Sequence, residues 1–228
     1  MTDFEAEKAL AAGRAVDEVR EGMLVGLGTG STAAHAIRDL GRRVAGGLKI
    51  TATATSRASE VLATSLGIPI VPFETVAEVD VAIDGADEID GAFRAIKGGG
   101  GALLREKIVA AAARRMIVAV DSSKVVATLG RFRLPIEVLP FAAAFVERAV
   151  TALGVAPARR MNADATPFRT DQGNYVFDLA CASIPDPADL ALRLDAIPGI
   201  IEHGLFLSEI DVVFVGRGSR VDTLTRTS

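Results

Sequence analysis

MLVGLGTGSTAAHAIRDL, residues 23–40, decides the fold. Met23 to Leu27 is a short uncharged apolar run, the composition of a strand buried in a parallel sheet. It leads straight into GTGSTA (28–33), after which Ala34, Ile37 and Leu40 recur at helical spacing. Strand, glycine turn and helix start in that order make an anion site, because backbone N–H groups and the positive end of the helix dipole face the ligand. Ser31 and Thr32 are favoured cap residues and add hydroxyl donors. Thr29, Gly30, Ser31 and Thr32 therefore read as a phosphate cradle, with a tight turn and an ordinary cap as the bland alternative.

The same letters fit G-x-G-x-x-A, a dinucleotide fingerprint. That motif needs an acidic residue roughly 20 positions on, at the end of the next strand, to hold a ribose hydroxyl. Here the strand Lys49 to Thr55 ends in Ser56 and Arg57 with no acid, which weakens the dinucleotide reading and leaves only an NADP phosphate on Arg57. No Gly-Lys-Ser/Thr occurs, so the Walker pattern fails as well.

Outward from this unit the alternation repeats. Phe4 to Val19 is an amphipathic helix through Phe4, Ala11, Ala15 and Val19, with Lys8 on its polar side. Downstream come a helix at Ser59 to Leu66 closed by Gly67, and strands at Ile68 to Val71 and Val79 to Ile83. A helix from Ala102 to Arg114 and a strand from Met116 to Val120 follow, the strand ending in AVDSSK (119–124). Strands and helices that alternate with short connections predict a doubly wound parallel sheet.

In such sheets ligands bind beyond the carboxyl ends of the strands. DGADEIDGAFRAIKGGGGALLREK (84–107) lies there. Asp84 and Asp87 follow one strand, and Lys97 ends the short run Phe93 to Ile96. Four glycines come next, and Glu106 sits about one turn into the following helix, facing back. The acids lack the alternate-residue ligands of a calcium loop, and His35 and His203 are the only histidines, so a histidine-rich metal site is not expected.

The pattern changes after Arg131. Strand Leu134 to Leu139, helix Ala142 to Leu153, strands Val155 to Met161 and Tyr175 to Ala180, helix Ala188 to Ala196 and strand Gly199 to Phe206 make a split β-α-β-β-α-β unit. Asp211 to Val215 and Val221 to Leu224 read as strands of the first domain. The expected division is a catalytic domain, 1–131 plus 207–228, with an inserted α+β lid at 132–206.

Composition sets the class. The 228 residues are half hydrophobic, with 25 basic against 29 acidic side chains, a net charge of −4. No basic tract exists, which argues against a nucleic-acid binder. The lone Cys181, the lack of a secretory signal and the absence of an apolar run near 18 residues predict a cytoplasmic protein without a membrane partner.

Together GLGTGSTA (26–33), DGADEID (84–90) and KGGGGALLREK (97–107), with SSK (122–124) and LPIEV (134–138), resemble ribose-5-phosphate isomerase of the A type, from Lys8 to the GLF at 204–206. The resemblance implies a Rossmann-like α/β domain with an inserted ferredoxin-like lid, assembled as a homodimer or tetramer. It implies interconversion of D-ribose 5-phosphate and D-ribulose 5-phosphate in the non-oxidative pentose phosphate pathway, without cofactor or metal. By position, Thr29, Gly30, Ser31 and Thr32 would hold substrate, chiefly its phosphate, helped by Lys8 and Lys124. Asp84, Gly85, Ala86 and Asp87, with Lys97, Gly98, Gly99 and Gly100, would line the sugar, and Glu106 would be the base. A carboxyl serves best there with its pKa raised toward neutral, and Lys97 and the glycine amides suit a developing oxyanion.

Two residues depart from the family's KGGGAALTREK, namely Gly101 and Leu104. Gly101 is expected to loosen the helix start, glycine being about 1 kcal/mol poorer than alanine within a helix. The competing functions are an amino-sugar phosphate deaminase, a non-catalytic sugar-phosphate sensor and an NADP oxidoreductase.

Overall fold

The apolar run at 23–27 forms the strand Leu24–Leu27, which lies between Thr51–Ala54 and Val81–Asp84 and runs parallel to both. The computed structural model describes residues 2–226; Met1, Thr227 and Ser228, which the expected first domain includes, lie outside them. The chain divides into two compact units. One holds the chain up to Ala86, Arg105–Val125 and the chain from Ser208 on; the other holds Asp87–Leu104 and Val126–Leu207.

In the first unit six strands make one sheet, in the order Arg220–Thr225, Val212–Arg217, Met116–Asp121, Val81–Asp84, Leu24–Leu27, Thr51–Ala54. Five are parallel, and Arg220–Thr225 closes one edge as an antiparallel hairpin. Alternate residues of a strand face opposite ways. Val25, Leu27, Val81, Ile83, Ile117, Ala119, Val212 and Phe214 share one core with Ala11 and Ala15 of helix Phe4–Val16, Ile37 and Leu40 of helix Ser31–Ala45, and Ala63 of helix Arg57–Ser65. Residues between them face the helix Leu103–Ala112: a Cβ on Gly26 would meet Val109 Cγ1 at 2.6 Å and Ala82 Cβ at 3.0 Å. Helices thus cover both faces, and that is why these strands read as unbroken apolar runs rather than alternating ones.

Two expectations for this unit need correction. The run Ile68 to Val71 makes only a single bridge, Ile70 to Ala52. Pro69 and Pro72 have no N–H to extend that ladder. The first helix ends at Val16, not Val19, because Glu18 and Val19 bond three residues back in tightened turns.

The second unit carries an antiparallel sheet ordered Ile200–His203, Leu134–Val138, Tyr175–Ala180, Ala156–Arg159. In chain order these are its fourth, first, third and second strands, the split β-α-β-β-α-β arrangement. Val146 and Val150 of helix Ala143–Ala152, and Leu190 and Leu194 of helix Pro187–Asp195, pack with Leu134, Ile136, Val138 and Phe177. Cys181 is half-buried, and burial pushes its thiol up to about 11, fitting an inert structural role.

A smaller sheet joins Glu88–Ile89, Ala95–Ile96 and Leu205–Phe206. The single strand expected at Gly199 to Phe206 is therefore two, broken at Gly204. Its N–H donates to Pro135 O at 2.8 Å while its C=O accepts from Lys97 N at 2.9 Å, and a Cβ there would lie 2.3 Å from Lys97 O. Only glycine lets one residue join both sheets. Among the described residues no helix is long and apolar enough to cross a membrane.

Candidate active site

The turn Gly28–Thr32 of the first unit begins its helix at Ser31, with Gly30 as the cap at φ +106. Ser31 is thus inside the helix, and no side chain caps it. The sequence expectation of a serine or threonine cap is corrected by that glycine, whose backbone angle an L residue seldom takes. The first intrahelical bond is Ala34 N to Gly30 O at 2.9 Å, so the N–H groups ahead of it have no carbonyl within the helix to bond. Gly30 and Ser31 are exposed and Thr32 is buried.

Thr29 turns its hydroxyl inward. It lies 2.7 Å from Thr55 Oγ1 and donates to Ser56 Oγ at 2.8 Å; Ser59 Oγ in turn donates to Gly28 O at 2.6 Å. Ser56 also caps the helix Arg57–Ser65, accepting from Ser59 N at 3.2 Å. This hydroxyl network occupies the strand end where a dinucleotide site would need an acid. Thr55, Ser56 and Ser59 escaped sequence reasoning, although TSRAS (55–59) is the visible signal for them.

Asp84, the last residue of its strand, is buried. Its Oδ1 accepts from Thr29 N at 3.0 Å and from Gly85 N at 2.7 Å, charge-assisted bonds that fix the carboxylate against the turn. A Cβ on Gly28 would lie 2.1 Å from Asp84 Oδ1, so glycine is obligatory there. Gly85 packs beside Thr32, where a Cβ would meet Thr32 Cβ at 3.4 Å, and the half-buried Ala86 follows. Glu106 stands in the first turn of the helix Leu103–Ala112 and is 3% exposed.

The two lysines differ in setting. Lys8 Nζ donates to Glu5 Oε1 at 2.6 Å, and Glu5 Oε2 lies 3.2 Å from His35 Nε2. Lys8 foremost, then His35, holds the Glu5 carboxyl below its ordinary range. Lys124 ends the short 3-10 turn Ser122–Lys124, which Asp121 caps by accepting from Ser123 N at 2.9 Å.

Glu7, which sequence reasoning passed over, ties these parts together. It is 2% exposed; Oε2 accepts from Ser122 N at 2.9 Å and Ser122 Oγ at 2.6 Å, and Oε1 from Gly218 N at 2.7 Å. The Ser122 hydroxyl, then the Gly218 amide, holds its carboxyl below the ordinary range against the opposing effect of burial. The clue was present: Glu7 shares the i, i+4 stripe of Ala11 and Ala15, whereas Phe4, counted as core from sequence, is 43% exposed.

Asp87, Lys97, Gly98, Gly99 and Gly100 belong to the second unit. Asp87 N donates to Ile96 O at 2.8 Å, and its Oδ2 accepts from Gly99 N at 2.7 Å. A Cβ on Gly99 would stand 2.5 Å from Asp87 Oδ1. Lys97 is 2% exposed, its Nζ 5.4 Å from the centroid of the Phe206 ring. Arg160, absent from the sequence-based candidates, donates through Nη1 to Gly98 O at 3.1 Å and Gly99 O at 3.0 Å. Gly101 does not loosen the helix, which starts at Leu103; it sits in the preceding turn at φ +79, where a Cβ would lie 2.4 Å from Phe168 Cζ.

Residues 51–220 match the sequence model of a family described as ribose 5-phosphate isomerase A (phosphoriboisomerase A). A ribose-5-phosphate isomerase A of Sphingopyxis alaskensis is 57% identical over 226 residues, covering 99% of both chains. The structure of ribose 5-phosphate isomerase A from Methanocaldococcus jannaschii superposes with a TM-score of 0.93 at 40% identity, covering 97% of this chain and 99% of that one. A D-ribose-5-phosphate isomerase solved in complex with phospho-erythronic acid gives 0.95 at 38% identity, covering 99% of this chain and 100% of that one.

Proposed function

This chain belongs to the ribose 5-phosphate isomerase A family, and we propose that it interconverts D-ribose 5-phosphate and D-ribulose 5-phosphate through a cis-enediol. Glu106 removes the proton from C2 of the aldose and returns it to C1, while O1 gains a proton and O2 loses one. Its main support is the buried Glu106 carboxyl one turn after the glycine loop, in a chain that matches named isomerases over nearly its full length.

The phosphate is assigned to the turn Thr29–Thr32, through the Gly30–Thr32 amides and the Ser31 and Thr32 hydroxyls, with Lys8 and Lys124; Thr29, whose amide donates to Asp84 Oδ1 and whose hydroxyl donates to Ser56 Oγ, serves by holding that turn. Asp84 and Asp87 orient hydroxyls and assist ring opening. Lys97 and the amides of Gly98 and Gly100 stabilise the oxyanion; Gly99 contributes by fixing Asp87, to which its amide donates. Gly85 and Ala86 line the sugar. The proton transfers balance with no metal or cofactor. The same proposal takes 1–131 with 207–228 as the catalytic domain and 132–206 as the lid, a division by chain order that differs from the compact units, which group 87–104 and 126–131 with 132–207; the protein is a cytoplasmic homo-oligomer, dimer or tetramer. Its small-molecule partner is the sugar phosphate.

The test is ketose formation from ribose 5-phosphate in EDTA, beside an NADPH-linked control. Glu106→Gln should lose most of kcat with KM changed less, because the group acts in the transition state. Near-normal turnover in that variant would remove Glu106 from the role. Binding without turnover in the wild type would instead identify a sensor.

A further inference from the structure

Arg160 has a place in the fold that neither composition nor helical spacing requires. It follows the edge strand Ala156–Arg159, and its side chain is only 16% exposed. Its Nε donates to Asp178 Oδ2 at 2.9 Å and its Nη2 to Asp178 Oδ1 at 2.5 Å, a bidentate pair that fixes the guanidinium plane. Nη1 is then left to donate to two successive carbonyls, Gly98 O and Gly99 O. The ring of Phe168 lies 5.6 Å from the guanidinium carbon, and Phe168 N donates to Arg160 O at 3.0 Å. That same ring fills the space a Cβ on Gly101 would need.

A trans peptide is planar, with its C=O and N–H on opposite sides. Drawing Gly98 O toward Arg160 therefore sends the Gly99 N–H the other way, where it meets Asp87 Oδ2 at 2.7 Å. Drawing Gly99 O toward the same guanidinium sends the Gly100 N–H in that direction too, from an exposed residue. Successive N–H groups on one side of a loop form a concavity that favours negative charge. Gly98 O also accepts from Gly101 N at 2.9 Å, so the turn itself helps to hold the Gly98–Gly99 plane; the Gly99–Gly100 plane, free of any side-chain preference, is oriented by the bond from Arg160 to Gly99 O.

We infer that Arg160, oriented by Asp178, is a positioning residue for the isomerase reaction: it sets the direction of the Gly99 and Gly100 amides, and through Gly99 the Asp87 carboxylate. This rests on the function proposed above. Lysine is no substitute, since one ammonium cannot span a carboxylate fork and two carbonyls in a plane.

The experiment compares full-length wild type, Arg160→Lys and Asp178→Asn by steady-state kinetics on ribose 5-phosphate, inhibition by inorganic phosphate, and exchange of the Gly99 and Gly100 amide hydrogens. In both variants kcat should fall about tenfold or more, less than for outright loss of an oxyanion donor. KM and the phosphate inhibition constant should stay within about threefold, because Lys8, Lys124 and Gly30–Thr32 are untouched. The two amides should exchange at least several-fold faster in Arg160→Lys. A role in folding alone would lower the melting temperature and leave kcat per folded molecule unchanged, and that result overturns the inference. Unchanged amide exchange overturns it as well. A wild type without turnover, with amides that still respond to Arg160→Lys, would defeat the proposed function and leave the loop assignment standing.

Discussion

Replacing Glu7 by glutamine tests how far one buried carboxylate holds the first unit together. The side chain accepts three bonds, two from Ser122 and one from Gly218, at 2.6 to 2.9 Å. Glutamine keeps the shape and one oxygen. With that oxygen toward Ser122, two bonds survive in weaker neutral form, and its NH2 faces the Gly218 N–H, donor against donor. One charged bond, about 1.5–3 kcal/mol, is lost, and two others weaken. The expected loss is about 2–4 kcal/mol, a large part of a total near 5–15 kcal/mol.

Because the folded Glu7 carboxyl titrates below its ordinary value, its stabilisation is fully present above the unfolded carboxyl pKa, about 4.3, and is lost as pH falls through the lower folded value. Urea melts at pH 7 should therefore show the full difference between wild type and Glu7→Gln. Melts in strong acid should show it shrinking, with the denaturant slope unchanged. A difference under about 0.5 kcal/mol at pH 7, or one that does not narrow in acid, would refute the assignment.

Other substitutions read single contacts. Gly28→Ala would drive a methyl into the Asp84 carboxylate, 2.1 Å away, and should cut kcat by about a hundredfold or more with the fold retained in circular dichroism. Gly101→Ala restores the residue expected by resemblance, yet meets both φ +79 and the Phe168 ring. It should cost about 1–3 kcal/mol in urea melts. Adding Phe168→Leu should recover only the steric part, so full recovery would show that the backbone angle contributes nothing.

Much of this protein was legible in its residue order. The run Met23–Leu27, the glycine turn and the stripe Ala34, Ile37, Leu40 gave a strand, a turn and a helix from local pattern alone, and the strand Tyr175–Ala180 has the limits expected of it. The motifs at 26–33, 84–90 and 97–107 together pointed to the family. Capping at Gly30, the break at Gly204 and the turn at Gly101 were misread because each depends on a backbone angle or a close approach that residue identity permits without requiring.

The partners of the site's supports were beyond local pattern. Glu7 bonds partners 115 and 211 positions away, and Arg160 reaches Gly98 across 62. In sequence Glu7 shows only that it shares a buried stripe, and Arg160 only that it follows a strand. Periodicity records which face of an element is buried; it carries no record of which distant backbone groups await a charge once that face is covered. The order of residues determined the elements and singled out the candidate reacting groups, whereas tertiary packing decided which charges hold those groups in position, since desolvated backbone donors and acceptors must find partners wherever the chain has brought them.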